Sequence, residues 1–176
     1  MKIHGLTVSG NEKHRYLEAC LTHNSKLLDT VFVFDDRSSD GSKRLAGKWA
    51  TVVVRDHATP TMLERESTFR QAAWDSWESA MNPAMGDWVL TFDTDEFWYG
   101  PSLKSLIGDY TGGIVRRPEM WSYLNPLHRV DGQWSKITNV RFFPYIPGGK
   151  YKIRDLAGGS APSYTEVPQK NLEGHL

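Results

Sequence analysis

Four short stretches of this chain read as strands, the last three of them apolar almost without interruption, and each is closed by a polar loop. Residues 3–9 form the first β-like run, ended by Ser9-Gly10-Asn11. Val31-Phe32-Val33-Phe34 and Thr51-Val52-Val53-Val54 follow, and Asp87-Trp88-Val89-Leu90-Thr91-Phe92 is the last. Continuous β-branched and aromatic runs of this length mark strands covered on both faces, as in parallel sheets. Between them the apolar spacing becomes helical. Leu17, Cys20, Leu21 and Leu28 hold roughly one face of a helix for which Asn11 is the expected N-cap. A short helix is expected at 41–47. Thr61 and Glu64 have capping-box spacing, and Phe69, Ala73, Trp77, Ala80 and Met81 then recur at helical intervals until Asn82-Pro83. Beyond residue 100 the pattern loosens. A helix at 102–107 and strands at 113–117 and 139–145 are expected, with Gly and Pro interrupting at 144–149 and 157–160.

Strands alternating with helices predict an α/β fold with a mostly parallel central sheet and a loop-rich C-terminal third. The 176 residues suit a single domain spanning 1–176, and no internal repeat or linker divides them. In such sheets ligands bind beyond the carboxyl ends of the strands. The two most acidic loops, residues 35–40 and 93–96, both fall on that edge.

Composition narrows the classes. Lys+Arg and Asp+Glu are equal at 21 each, so no global field draws nucleic acid or an anionic membrane, and any anion site must be local. No run approaches the ~18 apolar residues of a membrane span, and Met1-Lys2-Ile3-His4-Gly5 lacks the apolar segment of a signal peptide. Cys20 is the only cysteine, which excludes an intramolecular disulfide and fits a reducing cytoplasm. Its place beside Leu17 and Leu21 puts it in the core.

The chemistry concentrates after the fourth run. Asp93 and Asp95, two residues apart at the end of a buried strand, form a compact negative cluster that a cation would neutralise. Oxygen-only sites with one or two carboxylates suit Mg²⁺ or Mn²⁺, with phosphate oxygens and water filling the remaining positions. A solvated acidic turn or a helix cap is the alternative for the pair. His4, His14, His23, His57 and His128 lack metal-ligand spacing and read as surface or core.

Four segments together resemble glycosyltransferase family 2. Residues 31–42, Val-Phe-Val-Phe-Asp-Asp-Arg-Ser-Ser-Asp-Gly-Ser, are similar to its Asp-Asp-Gly-Ser-Thr-Asp-Gly-Thr loop. Residues 86–96, ending in Asp93-Thr94-Asp95-Glu96, resemble its Asp-x-Asp strand and turn. Val8-Ser9-Gly10-Asn11-Glu12 resembles its first loop, and Phe69-Arg70-Gln71-Ala72 the stretch before its metal motif. The likeness covers about residues 2–100 in the family's order, and departs from it at Arg37, where glycine is usual. It implies a GT-A-like, Rossmann-type three-layer sandwich in which residues 1–100 bind the nucleotide sugar and 101–176 form the acceptor side. It implies that Asp36 receives the base, that Ser9 and Asn11 line the same pocket, and that Arg70 reaches the nucleotide or its diphosphate. Asp93 would contact the ribose or the metal's water shell, Asp95 the metal itself, and His175 would complete the metal site. Capping and turn-making remain the alternative for Asp36 and Asp40, and a surface charge for Arg70.

The activity so implied is transfer of a sugar from a nucleoside-diphosphate sugar, UDP- or GDP-linked, to an acceptor hydroxyl on a glycan or other molecule, with inversion. A bound Mn²⁺ or Mg²⁺ would stabilise charge on the departing β-phosphate. Glu119, beside Trp121, and Asp155, after Lys152-Ile153-Arg154, are the candidates for the base; Glu96 and Glu166 are further possibilities. Trp98, Trp121 and Tyr123, with Tyr99 and Trp134, offer aromatic faces to an acceptor sugar or pack as ordinary core. Arg116, Arg117, Lys150, Lys152 and Arg154 meet an anionic acceptor or stay solvated. Two other readings compete: a nucleotidyltransferase or metal-dependent phosphohydrolase, and a non-catalytic sugar-binding relative. Against the first, Ser9-Gly10-Asn11-Glu12 lacks the Gly-rich basic loop usual there; against the second stands the intact Asp93/Asp95 pair.

Overall fold

Successive residues of a strand face opposite sides of a sheet, so an unbroken apolar run needs apolar cover on both. The computed structural model describes residues 1–98, 102–108, 122–125, 128–130, 142–148, 150–156 and 159–165. In it β1 (Ile3–Ser9), β2 (Thr30–Asp35), β3 (Thr51–Val54), β4 (Trp88–Thr91) and β7 (Phe142–Pro144) form one five-stranded sheet. Val31, Val33, Trp88, Leu90 and Phe142 point into one core, while Phe32, Phe34, Val89 and Phe143 point into the other. The first core is closed by α1 (Leu17–Asn24), α2 (Ser42–Ala46) and α4 (Leu103–Gly108), through Leu17, Cys20, Leu21, Ala46 and Leu103. The second is closed by α3 (Glu66–Met81), through Phe69, Ala73, Trp74 and Trp77. Each fully buried large apolar side chain contributes on the order of 1.5–3 kcal/mol. The protein is thus α/β, with a mixed, mostly parallel sheet and helices on both faces.

The strand order is β3-β2-β1-β4-β7. β1 pairs in parallel with β2 and β4, β2 pairs in parallel with β3, and β7 runs antiparallel along β4. Further along the chain, β5 (Ser122–Asn125) pairs with β6 (His128–Val130), and β8 (Lys150–Leu156) with β9 (Gly159–Thr165), both antiparallel. Gly5 lies where β1 passes close to Leu28, before β2, and to Phe92, just after β4. A Cβ there would sit 2.5 Å from Leu28 Cδ1 and 3.1 Å from Phe92 Cε1, so no larger residue fits without a shift.

Two helix starts differ from the periodicity. α1 begins at Leu17 with Tyr16 preceding it and no side-chain cap. Asn11 adopts φ +56° in the loop upstream, where its side-chain oxygen accepts from Ser39 instead of capping a helix. The Thr61/Glu64 box does form: Thr61 N and Oγ1 donate to Glu64 Oε2 at 2.8 and 2.9 Å. It closes a single turn, and α3 proper starts at Glu66. α3 ends as expected at Asn82, which takes a left-handed φ of +45° before Pro83. The strand expected at 139–145 is the shorter β7, and the strand expected at 113–117 lies outside the described residues.

The amino edge of the sheet is held by a buried polar knot. Asp87 accepts from Lys2 N at 2.7 Å and from Ala84 N at 2.9 Å, and its Oδ2 lies 3.2 Å from His4 Nε2. His4 Nδ1 meets Thr30 Oγ1 at 2.7 Å, and its ring stands edge-on to Trp77. Burial alone would raise the Asp87 carboxyl, but the bonds from Ala84, Lys2 and His4 outweigh it and hold the group at about 2. A depressed carboxylate stabilises the fold above its unfolded pKa, and that contribution disappears as pH falls through the folded value. Asp87→Asn should therefore cost about 2 kcal/mol in urea unfolding at pH 7. The gap to the parent protein should narrow between about pH 4 and pH 2. A gap that stayed constant over that range would show that the carboxylate's charge is not what matters there.

Candidate functional site

The chain order of the strands decides where a site can lie. β1, β2 and β3 progress in one direction, and β4 then returns to the other side of β1. β1 and β4 are thus neighbours whose carboxyl ends lead to α1 and α4 on the same face of the sheet, and the space beyond the carboxyl ends of the strands is the usual ligand position in open α/β sheets. A recess lies here, lined by Leu6, Thr7 and Val8 of β1, Thr91 and Phe92 at the end of β4, and Arg70 and Ala73 of α3. Arg70 is mostly buried and its Nε donates to Glu66 Oε1 at 2.8 Å, one helical turn away. The helix charge is thus built into the wall of the recess.

The loops after β1 and β2 are laced together. Asn11 N donates to Ser38 Oγ at 2.9 Å, Ser39 N to Asn11 Oδ1 at 2.9 Å, Glu12 N to Ser42 Oγ at 2.8 Å and Lys13 N to Asp40 Oδ2 at 2.9 Å. Asp35 is buried and accepts from both Ser38 N and Ser38 Oγ, at 2.9 and 2.6 Å. Asp40 accepts from the Ser42 hydroxyl at 2.6 Å and from its N–H at 2.9 Å; with Lys13 N these bonds hold its carboxyl below the usual range. Asp40 and Asn11 thus shape the loop, while Ser9 is buried with its Oγ lacking a hydrogen-bond partner among the described residues. Arg37 takes φ +58°, the conformation that favours glycine, and is exposed. The backbone shape of a glycine-containing loop is kept at a steric cost of roughly 1–2 kcal/mol.

Asp36 differs from its neighbours. Its N–H donates to Ser9 O at 2.7 Å, and its carboxylate is held by the guanidinium of Arg55, directly after β3. Nothing in the motif spacing points to Arg55. The single sequence signal is an arginine closing an apolar strand beside an acidic loop.

The acidic turn after β4 is fastened from below. Asp93 N donates to Glu96 Oε2 at 2.8 Å and Glu96 N to Asp93 O at 2.9 Å, a reciprocal pair that closes the turn. Glu96 O accepts from Asn24 Nδ2 at 2.8 Å and from Cys20 Sγ at 3.2 Å, and Trp98 N donates to Asn24 Oδ1 at 3.1 Å. His23 Nε2 lies 2.6 Å from Trp98 O. One edge of α1 thus grips residues 96–98, with fully buried Asn24 at the centre. Burial, followed by the charges of Asp95 and Glu96, pushes the Cys20 thiol up to about 12.

Asp95 itself is exposed, and its carboxylate makes no hydrogen bond or ion pair among the described residues. An uncommitted carboxylate on a backbone fixed by its neighbours fits a hydrated Mg²⁺ or Mn²⁺, which needs only one or two such ligands. Among the described residues no three His, Cys, Asp or Glu side chains cluster to hold a metal by themselves, so the other ligands of any cation here would be phosphate and water. Glu96, a candidate base by sequence, holds the Asp93 N–H. Trp98 is half-buried, tilted against Phe142 at 6.4 Å, and packs on the core beneath α1. Tyr123 falls in β5 and Asp155 in β8. Glu119, Trp121, Glu166 and His175 lie outside the described residues.

Comparison with known proteins adds no relative: no protein-family model matches this sequence, and no curated protein is found to be similar to it. No helix among the described residues is long and apolar enough to cross a membrane.

Two outcomes follow from this geometry. Cys20 should resist alkylation at pH 8 in the native protein and react fully in urea, as mass spectrometry of the two samples would show. Arg37→Gly should stabilise the protein by up to about 1 kcal/mol in denaturant unfolding, since relief of the left-handed strain exceeds the added chain entropy. A loss of stability would instead mean that the guanidinium makes a contact of its own.

Proposed function

We propose that this protein is a metal-dependent glycosyltransferase of GT-A type, which moves a sugar from a nucleoside-diphosphate sugar to an acceptor hydroxyl. The observation that carries the reading is a convergence at one sheet edge. The Asp93–Asp95 turn, the Asp36 loop and the Arg70 recess all sit toward the carboxyl ends of the neighbouring parallel strands β2, β1 and β4. Three of the four sequence segments that resemble family 2 supply these parts, and the fourth, residues 8–12, is the loop laced to the Asp36 loop.

In this reading Asp36, fixed by Arg55, accepts from the base. Ser9 and the laced loop form the floor beneath the nucleoside. Arg70 places positive charge along the recess toward the diphosphate. Asp95 presents free oxygens to the cation, and the Asp93–Glu96 turn fixes the backbone that carries them through its bonds to Asn24 and Cys20. A bound Mn²⁺ or Mg²⁺ supplies Lewis-acid stabilisation of the charge that grows on the β-phosphate. Removal of the acceptor's proton falls to a carboxylate of the second half, with Glu119 and Asp155 as the candidates. The aromatic residues Trp121 and Tyr123 belong to the same half and would offer faces to the acceptor.

The test is release of nucleoside diphosphate from a panel of UDP- and GDP-sugars with Mn²⁺ present. Asp95→Ala should lower the rate about 10²-fold or more while leaving the melting temperature unchanged, because the side chain is exposed and has no partner among the described residues. An unaltered rate in this variant, or release of pyrophosphate instead of nucleoside diphosphate, would overturn the proposal.

A further inference from the structure

Arg55 is the charged residue of this edge to which no motif assigns a role. It is 8% exposed, unusually buried for an arginine. Its Nε donates to Asp36 Oδ1, and its Nη1 donates to Asp56 O at 3.1 Å and to Thr59 O. The turn that supplies those carbonyls is itself fixed, since Ala58 N and Thr59 N donate to Asp56 Oδ1 at 2.7 and 2.9 Å. The backbone closes the same ring: Arg55 N donates to Asp35 O at 2.9 Å and Asp36 N to Ser9 O at 2.7 Å. A carboxylate tied to so immobile a guanidinium has little freedom to turn. Its Oδ1 is engaged, whereas Oδ2 makes no hydrogen bond among the described residues, and the side chain keeps 20% of its surface exposed. One acceptor edge is left facing outward.

The nucleobases ask different things of such an edge. Guanine presents N1–H and an amino N–H side by side, which match a carboxylate offering both oxygens. Cytosine and adenine place a ring acceptor beside their amino group, and an ionised carboxylate repels it. Uracil and thymine carry a single imide N–H between two carbonyls and need only one oxygen.

We infer that this site selects a nucleotide whose base offers one imide N–H, a uridine or thymidine diphosphate, and that Arg55 is the positioning residue that imposes the choice by occupying one oxygen of Asp36. The inference rests on the nucleotide-sugar reading above and narrows its donor class. Arg55 does not touch the sugar or the phosphates in this scheme. It acts on affinity through Asp36.

Isothermal titration calorimetry with Mn²⁺ present, using UDP and GDP as probes, tests the idea on the full chain. The unaltered protein should bind UDP at least about tenfold more tightly than GDP, the discrimination of one charge-assisted hydrogen bond. In Arg55→Gln the UDP affinity should fall about tenfold and the preference over GDP should shrink; Arg55→Lys should recover part of both. The ratio of two affinities measured in one preparation does not depend on how much of it is folded. Should the glutamine variant fail to fold, the unaltered protein and the lysine variant still decide the matter. Equal binding of the two nucleotides, tighter binding of GDP, or an unchanged ratio in a folded variant would overturn this inference and leave the transferase proposal intact. Absence of binding by either nucleotide to the unaltered protein would remove both, and would be seen before any variant is made.

Discussion

The pairing of β4 with β1 is the contact on which the rest of the molecule depends. It sets Trp88 opposite Ile3 and Thr91 opposite Leu6, which carries the Asp93–Glu96 turn to the place where β1 and β2 end. The pairing is anchored at its far end by Asp87, which gathers Lys2 N and His4, and by Trp88 N donating to Lys2 O at 2.9 Å. Leaving any of these polar groups unpaired in the interior would cost about 1–3 kcal/mol, so the register has little room to slip. A one-residue slip would also turn Trp88 and Leu90 to the wrong face of the sheet. The acidic turn therefore sits where it does because of interactions at the opposite edge.

Around that pairing the loops follow two different designs. The loops after β1 and β2 are bound to one another by side chains accepting backbone N–H groups, so Asp35, Asp40, Asn11 and Ser42 act as internal scaffolding. The turn after β4 is bound instead to a helix, through Asn24, Cys20 and His23. Both designs leave one carboxylate at the surface with spare acceptor capacity, Asp36 in the first loop and Asp95 in the turn. They differ in what holds them: Asp36 by the guanidinium of Arg55, Asp95 only through its backbone. A fixed carboxylate suits recognition of one shape, and a carboxylate that can turn suits a hydrated ion whose other ligands arrive with the substrate.

The arrangement also explains a polar residue in an apolar place. Asn24 lies on the buried face of α1 among Leu17, Cys20 and Leu21, where an amide would be destabilising if its groups were unpaired. Its Nδ2 and Oδ1 are both engaged by the chain just past the acidic turn. The shape of residues 96–98 and the placement of α1 are thereby the same constraint. Cys20, one turn earlier on that face, adds a weaker bond and stays a thiol.

The first four strands, the covering of both sheet faces and the edge that carries the acidic loops were legible in the sequence, because unbroken apolar runs and turn chemistry are local properties that the chain carries wherever it folds. Asp93 and Asp95 stood out for the same reason: they abut such a run. The β5–β6 and β8–β9 hairpins were not legible, since no comparable apolar run marks them. Local pattern failed at Asn11, since a residue suited to cap a helix equally suits a left-handed turn, and only the neighbouring loop with Ser38 and Ser39 chose between them. It was silent on Arg55 and Asn24, whose partners are 19 and 72 residues away. Tertiary structure alone decided that β4 lies beside β1, that Arg70 borders a recess, and that Asp36 keeps one oxygen free. Those outcomes depend on which distant groups bury one another, a quantity that spacing along the chain does not contain.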